Sequence, residues 1–121
     1  MSKRALFFAA AMLLVSGLAW ATVQLPDQFK DIPIFSGAKI VQAMEMENTA
    51  TATFTVKAEF NAVLDFYRQS MKQKGWKVVL QSEQDNSAML TFSAGKQALQ
   101  AHVHKQDDGV VQLMLILSTE K

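Results

Sequence analysis

The chain has 121 residues, with 12 lysines and arginines against 11 aspartates and glutamates, a formal net charge of +1. This balance argues against a nucleic-acid-binding domain, because phosphate contacts require a clustered excess of basic residues. The sequence contains no cysteine, which excludes a disulfide scaffold, a thiol nucleophile and lipid attachment at an N-terminal cysteine. A chain of this length and composition is typical of one small globular domain.

The first 21 residues have the three-part layout of a secretory signal peptide. Lys3 and Arg4 form a basic start, residues 5–15 are an unbroken apolar run, and Ala19-Trp20-Ala21 is a small-x-small cleavage pattern. The apolar run is shorter than the roughly 20 residues that span a bilayer. We therefore predict a periplasmic or secreted protein, and an uncleaved membrane anchor is the alternative. The predicted organisation is a signal peptide (1–21), an extended lead-in (22–38) and a single α+β domain (39–121).

The lead-in contains both prolines of the chain, Pro26 and Pro33, and shows no sustained hydrophobic period. Proline at this density disfavours a regular helix or a central strand. We expect its apolar side chains to pack onto the body of the domain, namely Leu25, Phe29, Ile32, Ile34 and Phe35.

Alternation with a period of two begins at Lys39 and predicts two strands joined near Asn48. In the first strand the alternation puts Ile40, Met44 and Met46 on the core side. The second strand covers residues 51–57 and directs Ala52, Phe54 and Val56 inward.

The hydrophobic period then changes to 3.6 residues, which predicts a helix over residues 59–74. Its apolar stripe is Phe60, Val63, Leu64, Tyr67 and Met71, and Gly75 is a typical helix stop. Basic side chains gather where this helix ends: Arg68, Lys72, Lys74 and Lys77. The negative end of the helix dipole accounts for at least two of them, and anionic lipid headgroups or cell-wall polymer are the alternative.

Four further strands are predicted at residues 76–82, 87–93, 97–105 and 110–118, and Asp108-Gly109 is the strongest hairpin signal. The resulting order is β-β-α-β-β-β-β. One helix packed on one face of an antiparallel sheet is the simplest way to bury such a set of elements. The predicted fold class is therefore α+β. We expect Tyr67 and Trp76 to lie in the core between the helix and the sheet.

Three short motifs resemble those of small exported bacterial domains of unknown function. They are Pro33-Ile34-Phe35-Ser36-Gly37-Ala38, of the P-x-aromatic-x-G-A type, the Phe66-Tyr67 pair in the helix, and Gly75-Trp76 at a strand start. The resemblance covers nearly all of the chain after the signal segment and implies a fold, but no catalytic residues. The layout is more distantly similar to helix-grip domains of envelope lipoproteins, although the lipid-attachment cysteine of those proteins is missing.

The face of the sheet opposite the helix, called the outer face below, carries several large apolar side chains among polar ones. By strand phase these are Val79, Met89, Val110, Met114 and Ile116, and we call them the predicted interaction face. Exposed apolar groups that share one face are typical of a contact surface. The predicted partner is an envelope protein or a second copy of the chain. The plain alternative is ordinary exposed apolar surface.

His102 and His104 are the candidates for a metal site, because residues i and i+2 of a strand share a face. Met44 and Met46 have the same spacing, and thioethers together with imidazoles suit copper. The predicted phase puts the two pairs on opposite faces of the sheet, and two ligands alone do not hold a metal firmly. We therefore predict no metal and no cofactor.

The function predicted from the sequence is that of a non-catalytic exported domain that acts through protein or envelope contacts. No nucleophile elbow or phosphate-binding glycine loop is present. The membrane is expected to be contacted only by the signal segment, if that segment is retained. The alternatives are a carrier of a small apolar ligand, lined by Phe54, Phe60, Tyr67, Trp76 and Phe92, and a copper-binding protein.

The cleavage pattern leads to a direct prediction. N-terminal sequencing of the protein from an envelope fraction should begin at Thr22, because signal peptidase cuts after the small-x-small pattern. Recovery of membrane-bound chains that still begin at Met1 would contradict cleavage and indicate an anchor.

Overall fold

A computed structural model describes residues 23–106 and 108–120, so the predicted signal peptide lies outside the described residues. Within these ranges, six strands form one antiparallel sheet in the order β1-β2-β6-β5-β4-β3, and one α-helix lies between β2 and β3 in the chain. The predicted α+β class and element order are confirmed. The elements are a 3₁₀ turn (Asp27–Phe29), β1 (Lys39–Glu45), β2 (Thr49–Val56), α1 (Phe60–Gln73), β3 (Lys77–Glu83), β4 (Ser87–Ala94), β5 (Gln97–Lys105) and β6 (Val111–Thr119).

The four central strands obey the predicted alternation. In β6 the inward side chains Val111, Leu113, Leu115 and Leu117 are buried, whereas the residues between them are only half-buried. The same alternation holds in β2, β4 and β5. Each of these large side chains stabilises the fold by about 1.5–3 kcal/mol when it is removed from water. The inner face, which is the face that α1 covers, therefore holds the core.

The helix and the lead-in share that inner face. Val63, Leu64, Tyr67 and Met71 of α1 are all buried, as the 3.6-residue period predicts. Phe29 and Ile32 of the lead-in belong to the same core cluster. Phe35 packs edge-on against Phe66, with the ring centroids 5.3 Å apart. Leu25, in contrast, stays exposed.

Among the described helices, none has the length and hydropathy of a membrane-spanning segment.

The predicted phase of β1 is wrong beyond its second residue. Ile40 pairs with Phe54 of β2, but the next paired residue is Gln42, so Val41 is an extra residue in a β-bulge. A bulge moves every later side chain to the opposite face. Met44 consequently pairs with Thr51 on the outer face and is exposed, instead of lying on the core side.

The same correction applies to β3. Val78 pairs with Phe92 of β4, Leu80 pairs with Thr91, and Val79 is the extra residue between them. Leu80 therefore turns to the outer face, although the alternation predicts it inside. Gln81 turns to the inner face, although the alternation predicts it outside. No residue of β3 is buried.

Tyr67 is confirmed in the core, whereas Trp76 is only half-buried at its border. The Tyr67 hydroxyl is buried, and no acceptor or donor of the described residues lies within hydrogen-bonding distance and angle of it. Its burial raises the pKa of the phenol well above the usual range, and the nearby backbone of Phe35 offsets only part of that rise.

This unpaired hydroxyl predicts opposite effects for two substitutions. Tyr67→Phe should leave the free energy of unfolding unchanged or raise it by about 1 kcal/mol, because it removes a buried polar group that has no partner. Tyr67→Ala should lower it by about 3–5 kcal/mol through the cavity that it leaves. Urea denaturation measures both. A loss above about 1 kcal/mol in Tyr67→Phe would instead show that the hydroxyl is satisfied in the folded protein, by the Phe35 backbone or by an ordered water.

Candidate functional site

A groove opens between α1 and the edge strand β3. It has a volume of about 510 Å³ and is lined by Arg68 and Lys72 of α1, by Trp76, and by Lys77, Val78 and Gln81 of β3. Four other surface clefts of the described part measure about 110–300 Å³. The edge groove is larger than each of these four clefts, and it is open to solvent along the edge of the sheet.

The chain reversal after α1 places Trp76 in this groove. The Trp76 amide donates to the Met71 carbonyl at 2.9 Å, and the Gly75 amide donates to the Lys72 carbonyl at 3.0 Å. These two hydrogen bonds define a Schellman motif, in which the residue after the helix takes a left-handed conformation. Gly75 has a φ of 90°, a value that other residues rarely adopt. The local sequence therefore fixes where the indole lies.

Arg68 forms the polar wall of the groove. Its guanidinium donates to Gln81 Oε1 at 3.1 Å and to Glu83 Oε1 at 2.7 Å, and it also donates to Asp65 Oδ1 at 3.1 Å. These contacts exist because the bulge at Val79 turns Gln81 and Glu83 toward α1. Exposed ion pairs of this kind contribute about 0–1 kcal/mol, so the network mainly orients the side chains.

Two lysines at the groove carry charge without a partner. Lys72 on the last turn of α1 and Lys77 at the start of β3 make no ion pair with any described residue, whereas Arg68 is already bound to two carboxylates. Trp76 and Val78 supply apolar surface to the same groove. An apolar floor with unpaired cations beside it is chemically suited to an anionic group attached to an apolar body.

The residues of the predicted interaction face do not form one continuous patch. Met89, Met114 and Ile116 point outward and are half-buried on β4 and β6. Val110 is half-buried just before β6 begins, and Val79 lies in the bulge of β3, three strands away from β6. Residues 29 and 32 of the lead-in are buried in the core on the inner face. The role of this surface as a contact site stays a prediction.

His102 lies between two methionines on the outer face. It pairs with Met89 of β4 on one side and with Met114 of β6 on the other. Its Nε2 lies 3.1 Å from Gln100 Oε1. His104 shares this face two residues further along β5 and is exposed. Met44 is now also on the outer face, but β2 and β6 separate it from β5. In the described ranges no group of three or more histidines, cysteines, aspartates and glutamates is placed to hold a metal.

The sequence shows the basic residues at the end of α1 but not the groove beside them. The groove depends on β3 being an edge strand and on its bulge, and neither has a clear sequence signal. The Met89–His102–Met114 row is likewise invisible in the sequence, because it depends on β5 lying between β4 and β6.

The fold and the groove together define a small α+β domain in which one helix packs on a six-stranded antiparallel sheet. The sequence profile of the START domain-like family matches residues 39–109, more than half of the chain. The chain belongs to the START domain-like family. This membership agrees with the small-domain resemblance seen in the sequence, while the likeness to envelope lipoproteins stays a prediction. No curated protein matches the chain.

The glycine after α1 is expected to be indispensable for the helix end. Gly75→Ala should lower the free energy of unfolding by about 1–2 kcal/mol, because a Cβ is strained at this positive φ even though no other atom lies near it. Gln73→Ala, on the exposed side of the same turn, is the control and should change it by less than about 0.5 kcal/mol. Equal melting temperatures for both variants would contradict the Schellman geometry.

Proposed function

We propose that this protein is a non-catalytic, exported binding domain that takes an amphiphilic anion in the groove between α1 and β3. The observation that carries the proposal is the pairing of an apolar floor, Trp76 and Val78, with two lysines that have no ion-pair partner in the described chain, Lys72 and Lys77. Membership of the START domain-like family fits a ligand-binding domain.

The groove exposes apolar protein surface that the apolar part of a ligand could cover. Val78, which lines the groove, has 41% of its surface exposed, and Trp76 beside it is only half-buried. Exposed apolar surface costs about 25 cal/mol for each Å² left in water. An alkyl chain lying against Trp76 and Val78 would remove part of this area from solvent.

The charged part of the ligand is selected by the basic side chains. Arg68 is bound to Asp65 and Glu83, so its charge is largely compensated locally. Lys72 and Lys77 therefore supply the net positive field at the groove. A carboxylate or phosphate headgroup placed between them would gain two charge-assisted contacts.

The packing of the interior favours ligand binding in a surface groove rather than in an enclosed cavity between helix and sheet. Phe54, Tyr67 and Phe92 are buried in one continuous core cluster, and Phe60 and Trp76 pack against its border. These side chains lie where an enclosed carrier cavity would have to open, and protein interiors are normally close-packed. A bound ligand would accordingly lie at the edge, where the helix no longer covers the sheet.

Export and a non-catalytic role belong to this proposal. The support for export is the three-part pattern of residues 1–21, and the support for binding without catalysis is the chemistry of the groove. Its polar lining consists of cations and Gln81, with no pair of groups arranged as nucleophile and base.

Calorimetric titration with two surfactants tests the headgroup preference. Below its micellar concentration, laurate should bind, and dodecyltrimethylammonium, which has the same chain length and the opposite charge, should bind at least about tenfold more weakly. Lys72→Gln with Lys77→Gln should weaken laurate binding by about two- to thirtyfold, because two exposed charge contacts are lost and each contributes about 0.2–1 kcal/mol.

The matched control replaces two exposed lysines outside the groove, Lys57→Gln with Lys96→Gln. This variant has the same net charge as the groove variant and should bind laurate like the wild type. Equal binding of both surfactants, or equal loss in both double variants, would show that the groove does not select an anion.

A further inference from the structure

The outer face brings together four side chains of the kind that bind soft metal ions. His102 is flanked in register by Met89 on β4 and by Met114 on β6. His104 lies two residues along β5 on the same face, opposite Ser87 and Gln112. Met89, His102 and His104 line one cleft of about 240 Å³. This cleft is distinct from the groove at α1, which lies on the other face of the sheet.

The sheet geometry permits these side chains to meet above one point. Residues directly opposite on neighbouring antiparallel strands have Cβ atoms about 4.5–5.5 Å apart. Methionine has three rotatable bonds and a polarisable sulfur, so both thioethers can swing toward the imidazole between them. The two flanking strands hold β5 in register on both sides, which fixes the backbone of the row.

The orientation of His102 is held by Gln100. The Nε2 of His102 and the Oε1 of Gln100 are 3.1 Å apart, and in the tautomer protonated at Nε2 the ring donates to this oxygen. The Nδ1 lone pair is then free to bind a metal. A hydrogen bond from the second ring nitrogen is the usual support of a histidine ligand.

The surroundings favour a soft monovalent ion over a hard divalent one. The diagonal neighbours of His102 on β4 and β6 are neutral, namely Ser87, Thr91, Gln112 and Ile116, and so is Gln100, two residues before it on β5. Hard cations such as Ca²⁺ and Mg²⁺ require several oxygen ligands with negative charge, and this patch supplies none. Thioethers with imidazoles select Cu(I).

We propose that Met89, His102 and Met114, with His104 as a fourth ligand, form a Cu(I)-binding site on the outer face. The site binds the ion without any redox step. It is independent of the proposed function at the groove, because the two sites share no residue.

Competition against the chromophoric Cu(I) chelator bicinchoninate, under reducing and anaerobic conditions, tests the site. The purified wild-type protein should withdraw one Cu(I) per chain. His102→Gln and the double variant Met89→Leu/Met114→Leu should each lower the Cu(I) affinity by about 10–100-fold, since even a lost supporting group near a metal costs that much. The leucine exchange conserves volume, so the thermal melt of the double variant should stay close to that of the wild type.

The control is Met44→Leu/Met46→Leu, which removes two exposed thioethers elsewhere on the protein. It should bind Cu(I) like the wild type. Failure of the wild type to compete for Cu(I) would overturn the proposal. So would a loss of Cu(I) binding in the Met44/Met46 variant equal to the loss in the Met89/Met114 variant.

Discussion

One helix of 14 residues has to cover a sheet of six strands, and the widths do not match. Neighbouring strands lie about 4.8 Å apart, so the two edge strands are about 24 Å from each other, whereas a helix with its side chains is about 10–12 Å wide. α1 therefore covers about half of the inner face. Phe29 and Ile32 of the lead-in extend the core, and the β3 edge stays open. The groove is a direct consequence of this mismatch.

The open edge also determines which residues β3 can carry. An inner face covered by α1 along its whole width would require apolar side chains, but at this edge Gln81 and Glu83 face Arg68 and all three stay partly hydrated. The bulge at Val79 creates this arrangement by shifting the phase of the strand by one residue. A bulge also twists an edge strand away from further pairing, which protects an exposed edge from aggregation. Binding chemistry and edge protection thus depend on the same extra residue.

The sequence predicts the central strands well and the edge strands poorly, and burial explains the difference. β6 is paired on both sides, so each inward residue from Val111 to Leu117 must be apolar and the alternation is strict. β3 has apolar residues at three consecutive positions, Val78 to Leu80, which fit either phase. Only pairing with β4 decides between them. The sequence does not predict the methionine–histidine row for another reason: β6 is last in the chain, and nothing local places it between β2 and β5.

The two surfaces lie on opposite faces of the sheet and on different strands, the groove at β3 and the methionine–histidine row on β4, β5 and β6. Met89 faces outward while its neighbour Leu90 is fully buried in the core, and the same holds for His102 beside Ala101. A ligand at the groove contacts the edge strand, which is hydrogen-bonded on one side only. The strands that carry the outer row are paired on both sides and backed by close-packed side chains, so a displacement of β3 has little freedom to propagate. Sites that share no contacts have nearly additive free energies. The amphiphile and the metal ion are therefore expected to bind independently.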